Sequence, residues 1–357
     1  MSPPATSPTT TATTAETPAA TTHAPATRFN RRFGLSAPLA LAPMALASGG
    51  ELAAACARAG ALGLVGGGYG ELAWTQREYT LALQRARDAG AVDRIGIGFI
   101  TWKLDEDASA LDWVLGLPEQ DLPRALMLSF GDARRYAPRI ARAGIPLICQ
   151  VQRIEQLPAV VEAGAAVVVV QGGEAGGHGM NAINARGTFT LVPEAADWLA
   201  AHAPQTLLLA AGGVADGRTL AAALVLGADG ALVGSRLWAT RESLAAPGAK
   251  NEAVATTGDG TARSSVFDIL RRKNWPEPYD FRAVRNALHR QWEDRIDALR
   301  AAPEAARADY DAGVAAGDFT RAHATVGEAT GLIADVPEAA EVIARMVQGA
   351  GQARTLA

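Results

Sequence analysis

The sequence predicts an α/β protein built as a (β/α)₈ TIM barrel, with a helical insertion or extension after the eighth strand. From Pro38 onward, short apolar segments alternate regularly with Ala-rich amphipathic segments, which is typical of repeated βα units around a parallel sheet. Eight apolar segments of this kind follow one another, as in a closed barrel. Several amphipathic segments end in a glycine directly before the next strand, as helix C-termini do.

The predicted strands are short and poor in polar residues, as strands covered on both faces are. They are Leu39–Ala42, Leu62–Val65, Ile95–Ile100, Ala125–Ser129, Pro146–Val151, Ala166–Val170, Thr206–Ala211 and Gly230–Gly234. The predicted helices include Gly50–Arg58, Glu71–Asp88, Ala133–Ala143, Ile154–Ala163, Pro193–Ala203 and Gly217–Leu226. An open doubly wound sheet would have a G-x-G-x-x-G turn after its first strand. That strand ends instead in A-P-M, so the barrel is preferred.

Composition divides the chain into four parts. Residues 1–27 are mainly Thr, Ala and Pro and predict a disordered tail. The barrel is expected over residues 28–244. Residues 245–330 interrupt the βα rhythm and predict a helical insertion or lid with a long charged helix from about Phe281 to Ala301. Residues 331–357 predict a C-terminal helix that returns to the barrel and begins near Pro337.

The overall composition excludes several classes of protein. With 49% hydrophobic and 20% charged residues and a net charge of -4, the chain suits neither a disordered protein nor a nucleic-acid partner. No apolar run approaches the roughly 18 residues of a membrane-spanning helix. Cys56 and Cys149 lie in apolar segments and are expected to be free, buried and reduced, which favours a cytoplasmic location. The sequence does not define the oligomeric state, and a homodimer is one compatible state.

Two glycine-rich turns are predicted at the carboxyl ends of neighbouring strands. Ala211, Gly212 and Gly213 follow the seventh predicted strand, and Gly234 and Ser235 follow the eighth. Turns at these places in such barrels often hold phosphate groups. Glycines let backbone N–H groups approach a dianion closely, and a serine hydroxyl adds a hydrogen bond. The pair therefore predicts a phosphate site, with tight turns that hold no ligand as the alternative.

A third glycine-rich segment follows the sixth predicted strand and carries one histidine. The residues expected to meet at the barrel mouth beside the phosphate site are Ala42, Pro43, Met44, Gly66, Gln150, Gln171, Gly176, Gly177 and His178. A neutral, glycine-lined cavity with amide side chains suits a flat heteroaromatic ring. His178 can exchange a proton near neutral pH, although a surface or structural histidine is the alternative. The mouth has neither the clustered ligands of a metal site nor a G-x-S-x-G nucleophile elbow.

Four motifs, taken together, resemble the nitronate monooxygenase family, formerly called 2-nitropropane dioxygenases. They are A-P-M from Ala42, Q-G-G-E-A-G-G-H-G from Gln171, A-A-G-G-V-A-D-G from Ala210 and G-A-D-G-A-L-V-G-S-R from Gly227. The resemblance covers about residues 35–245. A later segment, G-E-A-T-G-L-I-A-D-V-P from Gly327, also resembles the C-terminal part of that family.

The resemblance implies an FMN enzyme that oxidises alkyl nitronates, with propionate 3-nitronate as one candidate, to a carbonyl compound and nitrite with O₂, a role in nitroalkane detoxification. It implies flavin-ring contacts from Ala42, Met44, Gln150, Gln171 and Gly177, and phosphate contacts from Gly212, Gly213, Gly234 and Ser235. His178 matches the active-site histidine of the family, as base or as nitronate-positioning group. The third strand lacks the asparagine often seen in G-V-N, so no flavin contact is assigned there.

Two other functions fit parts of the same pattern. An FMN-dependent enoyl-acyl carrier protein reductase shares the barrel and similar glycine turns but would use NAD(P)H. A non-catalytic FMN-binding protein would bind the flavin without turnover, and the histidine beside the expected cavity argues against it.

Overall fold

The computed structural model describes residues 26–354. The disordered tail predicted for residues 1–27 lies outside this part of the chain except for its last two residues. The first helix, α1 (Arg28–Phe33), begins after Thr27, whose side chain accepts a hydrogen bond from the Asn30 N–H.

The TIM barrel predicted from the sequence is confirmed. Its strands are β1 (Leu39–Leu41), β2 (Gly63–Gly68), β3 (Ile95–Ile100), β4 (Leu126–Ser129), β5 (Leu147–Val151), β6 (Val167–Gln171), β8 (Leu207–Ala211) and β9 (Gly230–Val233), with β7 (Gly177–Met180) outside the barrel. The eight barrel strands are parallel and follow the order β1-β9-β8-β6-β5-β4-β3-β2. A parallel bridge between Ala40 of β1 and Leu62, directly before β2, joins the two ends of this order.

Helices between the strands form the outer layer. They are α2 (Gly50–Arg58), α3 (Leu72–Arg87), α4 (Thr101–Glu106), α5 (Ser109–Leu115), α6 (Ala137–Arg142), α7 (Leu157–Glu162), α8 (Thr188–His202), α9 (Gly217–Val225) and α10 (Ser235–Trp238). Helix α8 begins five residues before the predicted start at Pro193. The Glu174 carboxylate accepts hydrogen bonds from the Thr188 N–H at 2.9 and 3.0 Å, so a distant side chain caps this helix.

Apolar side chains fill the barrel from its amino end. Phe29 and Phe33 of α1 are buried in one cluster with inward-facing strand residues such as Leu64, Met127 and Val169. The barrel interior is thus a packed core, and space for a ligand is left at the carboxyl ends of the strands. Cys56 and Cys149 are buried and free.

The segment after β9 is only partly helical. It contains α11 (Pro247–Ala255), β10 (Thr261–Ser264), α12 (Val266–Leu270), β11 (Tyr279–Val284), α13 (Ala287–Trp292), α14 (Ile296–Ala301) and α15 (Glu304–Ala316). The long helix predicted from Phe281 to Ala301 is therefore wrong. Its first residues alternate between buried and less buried positions, with Phe281 and Ala283 buried, which is the period of a strand.

A second, antiparallel sheet joins this segment to the barrel. Its strand order is β10-β11-β7, and Phe281 of β11 pairs with His178 of β7. We call residues 261–326 the cap. The last helix, α16 (Ala339–Arg354), returns to the barrel and packs on α9 and α2. No helix within residues 26–354 has the length and apolar character to span a membrane.

Candidate active site

A cavity of about 620 Å³ lies between the carboxyl ends of the barrel strands and the cap. Residues that follow β1, β6, β8 and β9 line one side of it, and cap residues line the other. The predicted site residues that line it are Ala42, Pro43, Met44, Gln150, Gln171, Gly176, Gly177, His178, Ala211, Gly212, Gly213, Gly234 and Ser235. The structure therefore brings these residues to one place.

Gly66 is the exception among the predicted residues. It does not line the cavity. Its N–H donates to the Ser48 carbonyl at 2.8 Å, and its carbonyl accepts from Trp74 Nε1 at 3.0 Å. A Cβ at this position would lie 2.3 Å from the Met44 carbonyl oxygen. Gly66 thus lets β2 pass close to the A-P-M turn, and Gly68, two residues later, reaches the cavity.

The two turns after β8 and β9 leave donors and space free. Gly212 and Gly213 have φ of +89° and +77°, a conformation that favours glycine. Among the described residues, no group accepts a hydrogen bond from the Gly213 or Val214 N–H. A Cβ on Gly213 or Gly234 would meet no atom nearer than 3.8 Å. The turns therefore form an open cradle with unused backbone donors, which suits a phosphate group.

Ser235 completes this cradle. Its Oγ accepts a hydrogen bond from the Gly327 N–H at 2.9 Å, which leaves the hydroxyl hydrogen available for a ligand. The same contact ties the C-terminal segment that begins at Gly327 to the turn after β9.

Three glutamines form a chain along the barrel mouth. Gln171 Oε1 accepts hydrogen bonds from the side-chain amides of Gln150 and Gln152, both at 3.1 Å. The Gln171 amide donates to the His178 carbonyl at 3.2 Å. Because Gln150 uses its amide N–H₂ in this chain, its carbonyl oxygen remains as an acceptor that a ring N–H can use.

The glycine-rich loop before β7 is held from both sides. Arg263 of β10 donates to the carbonyls of Ala175 at 2.7 Å and Gly177 at 3.2 Å. A Cβ on Gly176 would lie 2.5 Å from the Gly327 N atom, so only glycine lets the two segments pack this closely. Glu174 is occupied by Thr188 and forms no pair with His178.

His178 lies on β7 and is enclosed by cap residues. Its Nε2 lies 2.9 Å from Asp268 Oδ1, and the two side chains are 8% and 6% exposed. Its ring stacks on Trp275 with centroids 3.5 Å apart and planes at 13°. Phe281 packs at 4.8 Å from the same ring. The histidine thus lines the cavity in a fixed, aromatic surrounding.

Comparison with known proteins shows the family to which this chain belongs. The nitronate monooxygenase family model matches residues 119–349. A nitronate monooxygenase of Neurospora crassa is 31% identical over 333 residues, which cover 85% of this chain and 86% of that protein. The chain belongs to the nitronate monooxygenase family.

A second relative carries the same family name, and a solved structure shares the fold. Nitronate monooxygenase npaC of Metarhizium robertsii is 34% identical over 268 residues, covering 70% of this chain and 71% of that protein. The solved structure of FabK from Thermotoga maritima has a TM-score of 0.76 at 25% identity and covers 93% of this chain and 98% of that one. Membership of the nitronate monooxygenase family makes the chain an oxidoreductase, and this family carries out flavin-dependent oxidation of nitronates.

The nitronate monooxygenase fold places the charged groups around His178 in low-dielectric surroundings. Burial, followed by the Arg271 and Arg263 charges, lowers the pKa of His178 well below its ordinary value. Burial raises the pKa of Asp268 to about 7, against the opposing effect of Arg271, Arg263 and Lys273. Burial disfavours the charged form of each partner. We therefore treat Asp268 and His178 as one unit that titrates together.

The cap supplies further cavity residues, which the sequence did not predict. Arg271 lines the cavity, lies over the Phe281 ring at 4.6 Å, and has a buried Nη1 with no hydrogen-bond partner in the described chain. Tyr310 and His323 also line it, with Tyr310 Oη 2.6 Å from His323 Nδ1. Burial lowers the pKa of His323 to about 3 and raises that of Tyr310 to about 12, so this pair is neutral.

One sequence signal could have identified part of this group. Asp268 is a lone acidic residue inside the apolar run V-F-D-I-L, and an acidic residue in such a run is rarely buried without a partner. Trp275 lies in a Pro-rich aromatic segment, and no local sequence pattern predicts its contact with His178. No group of three or more His, Cys, Asp or Glu that could bind a metal is found among residues 26–354.

Arg263 should be essential for holding the glycine loop. The change Arg263→Met removes the donor for carbonyls in both the loop and β11. We expect the free energy of unfolding to fall by about 1.5–3 kcal/mol, the range for hydrogen bonds to charged groups, as measured by urea denaturation. Arg300→Met is the matched control, since the Arg300 side chain donates an exposed hydrogen bond of 3.4 Å to Ser265 and does not contact the glycine loop among the described residues. Equal stabilities for the two variants would contradict this role.

Proposed function

We propose that this chain binds FMN in the cavity beneath the cap and oxidises alkyl nitronates with O₂ to a carbonyl compound and nitrite. The observation that carries the proposal is the presence of the glycine cradle and His178 in one cavity of about 620 Å³. Cradle and histidine are the two features that phosphate binding and proton transfer separately require. Membership of the nitronate monooxygenase family supports the same chemistry.

FMN fits the residues that are present. The free N–H groups of Gly213 and Val214 and the Ser235 hydroxyl would hold its phosphate. The Gln150 carbonyl oxygen and the A-P-M turn would contact its ring system. Gly98 leaves room for that turn, because a Cβ there would lie 2.4 Å from Pro43 Cγ. Bound FMN would supply the electron transfer between the nitronate and O₂.

The protein's own groups would bind the nitronate and handle protons. His178 would take the α-proton of a neutral nitroalkane, or would position a nitronate that is already ionised. Arg271 lines the same cavity and brings a positive charge to it, which suits an anionic substrate. A nitronate that also carries a carboxylate, such as propionate 3-nitronate, would use both His178 and Arg271. The cap would limit the access of water to this step.

Flavin binding is tested at Gly213. We expect the purified protein to be yellow and to release FMN on denaturation. The change Gly213→Val fills the cradle and imposes a side chain at φ +77°, so FMN affinity should fall at least tenfold, about 1.4 kcal/mol, in a fluorescence titration.

Gly90→Val is the control for this flavin titration. Gly90 also has positive φ, at +62°, and a Cβ there would meet no atom within 4 Å. It does not line the cavity, so its variant should bind FMN as the parent does. A colourless protein that takes up no added FMN would refute the flavin assignment.

The role of His178 is tested with two forms of one substrate. His178→Ala should retain FMN but lose about 10²-fold or more of the kcat/KM for a neutral nitroalkane, the usual contribution of a general base. The loss with the preformed nitronate should be smaller, since no proton must then be removed. Nitrite release and O₂ uptake report both reactions. His202→Ala, at the exposed end of α8, should change neither, and unimpaired rates for His178→Ala would remove this residue from the mechanism.

The same assay separates the enoyl-acyl carrier protein reductase alternative. That function requires NAD(P)H, so rapid anaerobic bleaching of the flavin by NADH together with turnover of an enoyl thioester would favour it. Nitrite release from nitronates without NAD(P)H supports nitronate oxidation.

A further inference from the structure

Asp268 is the one carboxylate in contact with His178 among the described residues. Its Oδ1 lies 2.9 Å from His178 Nε2, and the contact joins α12 of the cap to β7, 90 residues apart in sequence. We propose that Asp268 is a positioning residue that fixes the tautomer and orientation of His178 and stabilises the positive charge that His178 acquires with a proton. This inference rests on the proposed function of His178.

The contact determines which ring nitrogen can act as base. Burial raises the pKa of Asp268 to about 7. Above this pH its carboxylate is ionised and only accepts hydrogen bonds, so Nε2 carries the hydrogen that points to Asp268. Nδ1 then carries the lone pair, and no group in residues 26–354 donates to it. Since His178 lines the cavity, Nδ1 is the atom that receives the substrate proton. An orienting partner of this kind is a common companion of a catalytic histidine.

Packing prevents the ring from turning to another arrangement. Trp275 covers one ring face at 3.5 Å, and Trp275 is itself held edge-on by Trp102 and Phe130 at 5.4 and 5.0 Å. Phe281 packs at 4.8 Å. A flip of the imidazole would place a carbon against Asp268 and leave a buried carboxylate without its partner.

The surrounding cations oppose the effect of burial on Asp268 and disfavour a positive charge on His178. Arg271 lies 3.9 Å from Asp268 Oδ1. The other groups that act on the pair are Arg263 of β10, Lys273 after α12, Asp280 of β11 and Tyr69 after β2. The three cations lower the pKa of Asp268 and oppose burial, while Arg271 and Arg263 also lower the pKa of His178. Burial outweighs the cations at Asp268 and raises its pKa to about 7, so the base-competent state, with the proton on neither Oδ1 nor Nδ1, predominates above about this pH.

The proton step balances in atoms and in charge. The Cα–H bond of the nitroalkane breaks, and its electron pair stays on the substrate as the nitronate. The proton moves to His178 Nδ1, which turns the neutral imidazole into an imidazolium. The Nε2–H bond to Asp268 remains and becomes a charge-assisted hydrogen bond. Stabilisation of this product raises the basicity of His178 relative to a site without the carboxylate.

The tautomer can be measured without turnover. In the FMN-loaded protein, ¹⁵N NMR of the His178 side chain should show Nε2 protonated and Nδ1 unprotonated. The change Asp268→Asn replaces an acceptor by a side chain whose N–H₂ can donate to Nε2, and should shift the population toward the Nδ1–H form. A parent protein with the Nδ1–H tautomer would overturn the proposal even if nitronate turnover is found.

Kinetics test the positioning role in the working enzyme. Asp268→Asn should retain FMN, lose about 10²-fold in kcat/KM for a neutral nitroalkane and lose much less for the preformed nitronate. The pH of half-maximal kcat/KM should move lower by about one unit or more, because the lost carboxylate no longer stabilises the imidazolium. Asp309→Asn is the control, as Asp309 pairs with Arg321 on the outside of the cap.

A double variant separates positioning from a general structural effect. In a His178→Ala background, Asp268→Asn should cause no further loss, since the two changes remove the same function. A further tenfold loss, or an unshifted pH midpoint in the single variant, would overturn the proposal. If the parent released no nitrite from any nitronate, the proposed function would fail, and the NMR result would still decide the Asp268 contact.

Discussion

The pairing of β7 with β11 is the constraint on which the rest of the site depends. The chain leaves β6 through a run of glycines that could take many conformations. It then re-enters a sheet at Gly177–Met180, where His178 pairs with Phe281 and Gly177 with Arg282. Because of this register, His178 lies on a strand, although the residues directly before it form a glycine-rich loop. It also places Asp268 and Trp275 of the cap around the imidazole.

The two ends of the cavity are built by different chemical means. The cradle is made of backbone N–H groups, glycines and one hydroxyl, so it can receive a phosphate group without a dedicated cation. The opposite end holds buried ionisable side chains, His178, Asp268 and Arg271, where low dielectric strengthens electrostatic interactions. Arg263 connects the ends, because it belongs to the cap and holds the carbonyls of the glycine loop. Burial lowers its pKa to about 10, and the guanidinium stays charged near neutrality.

The barrel and most residues at its mouth could be predicted from the sequence because their signals are local. Strand and helix segments show their own periodicity, and glycine turns at strand ends meet at one edge of any parallel barrel. The prediction of Gly66 as a cavity residue was wrong, because the sequence pattern does not show which glycine of the run Gly66–Gly68 faces the cavity. The structure of the cap could not be predicted in this way. The charged residues of Phe281–Ala301 suggest a helix, yet the first residues of this segment pair with a strand about 100 residues earlier. Arg271, Tyr310 and His323 reach the cavity only through such long-range contacts, and the lone acidic residue Asp268 in an apolar run is the one member of this group that has a local signal.

A crystal structure of the FMN-loaded protein would show whether the glycine cradle and His178 serve the same bound flavin. We expect the FMN phosphate at the turns Gly212–Gly213 and Gly234–Ser235, the flavin ring in the same cavity as His178, and the His178–Asp268 contact preserved. A flavin bound elsewhere, or one in this cavity with His178 turned away from Asp268 and from the ring, would contradict it.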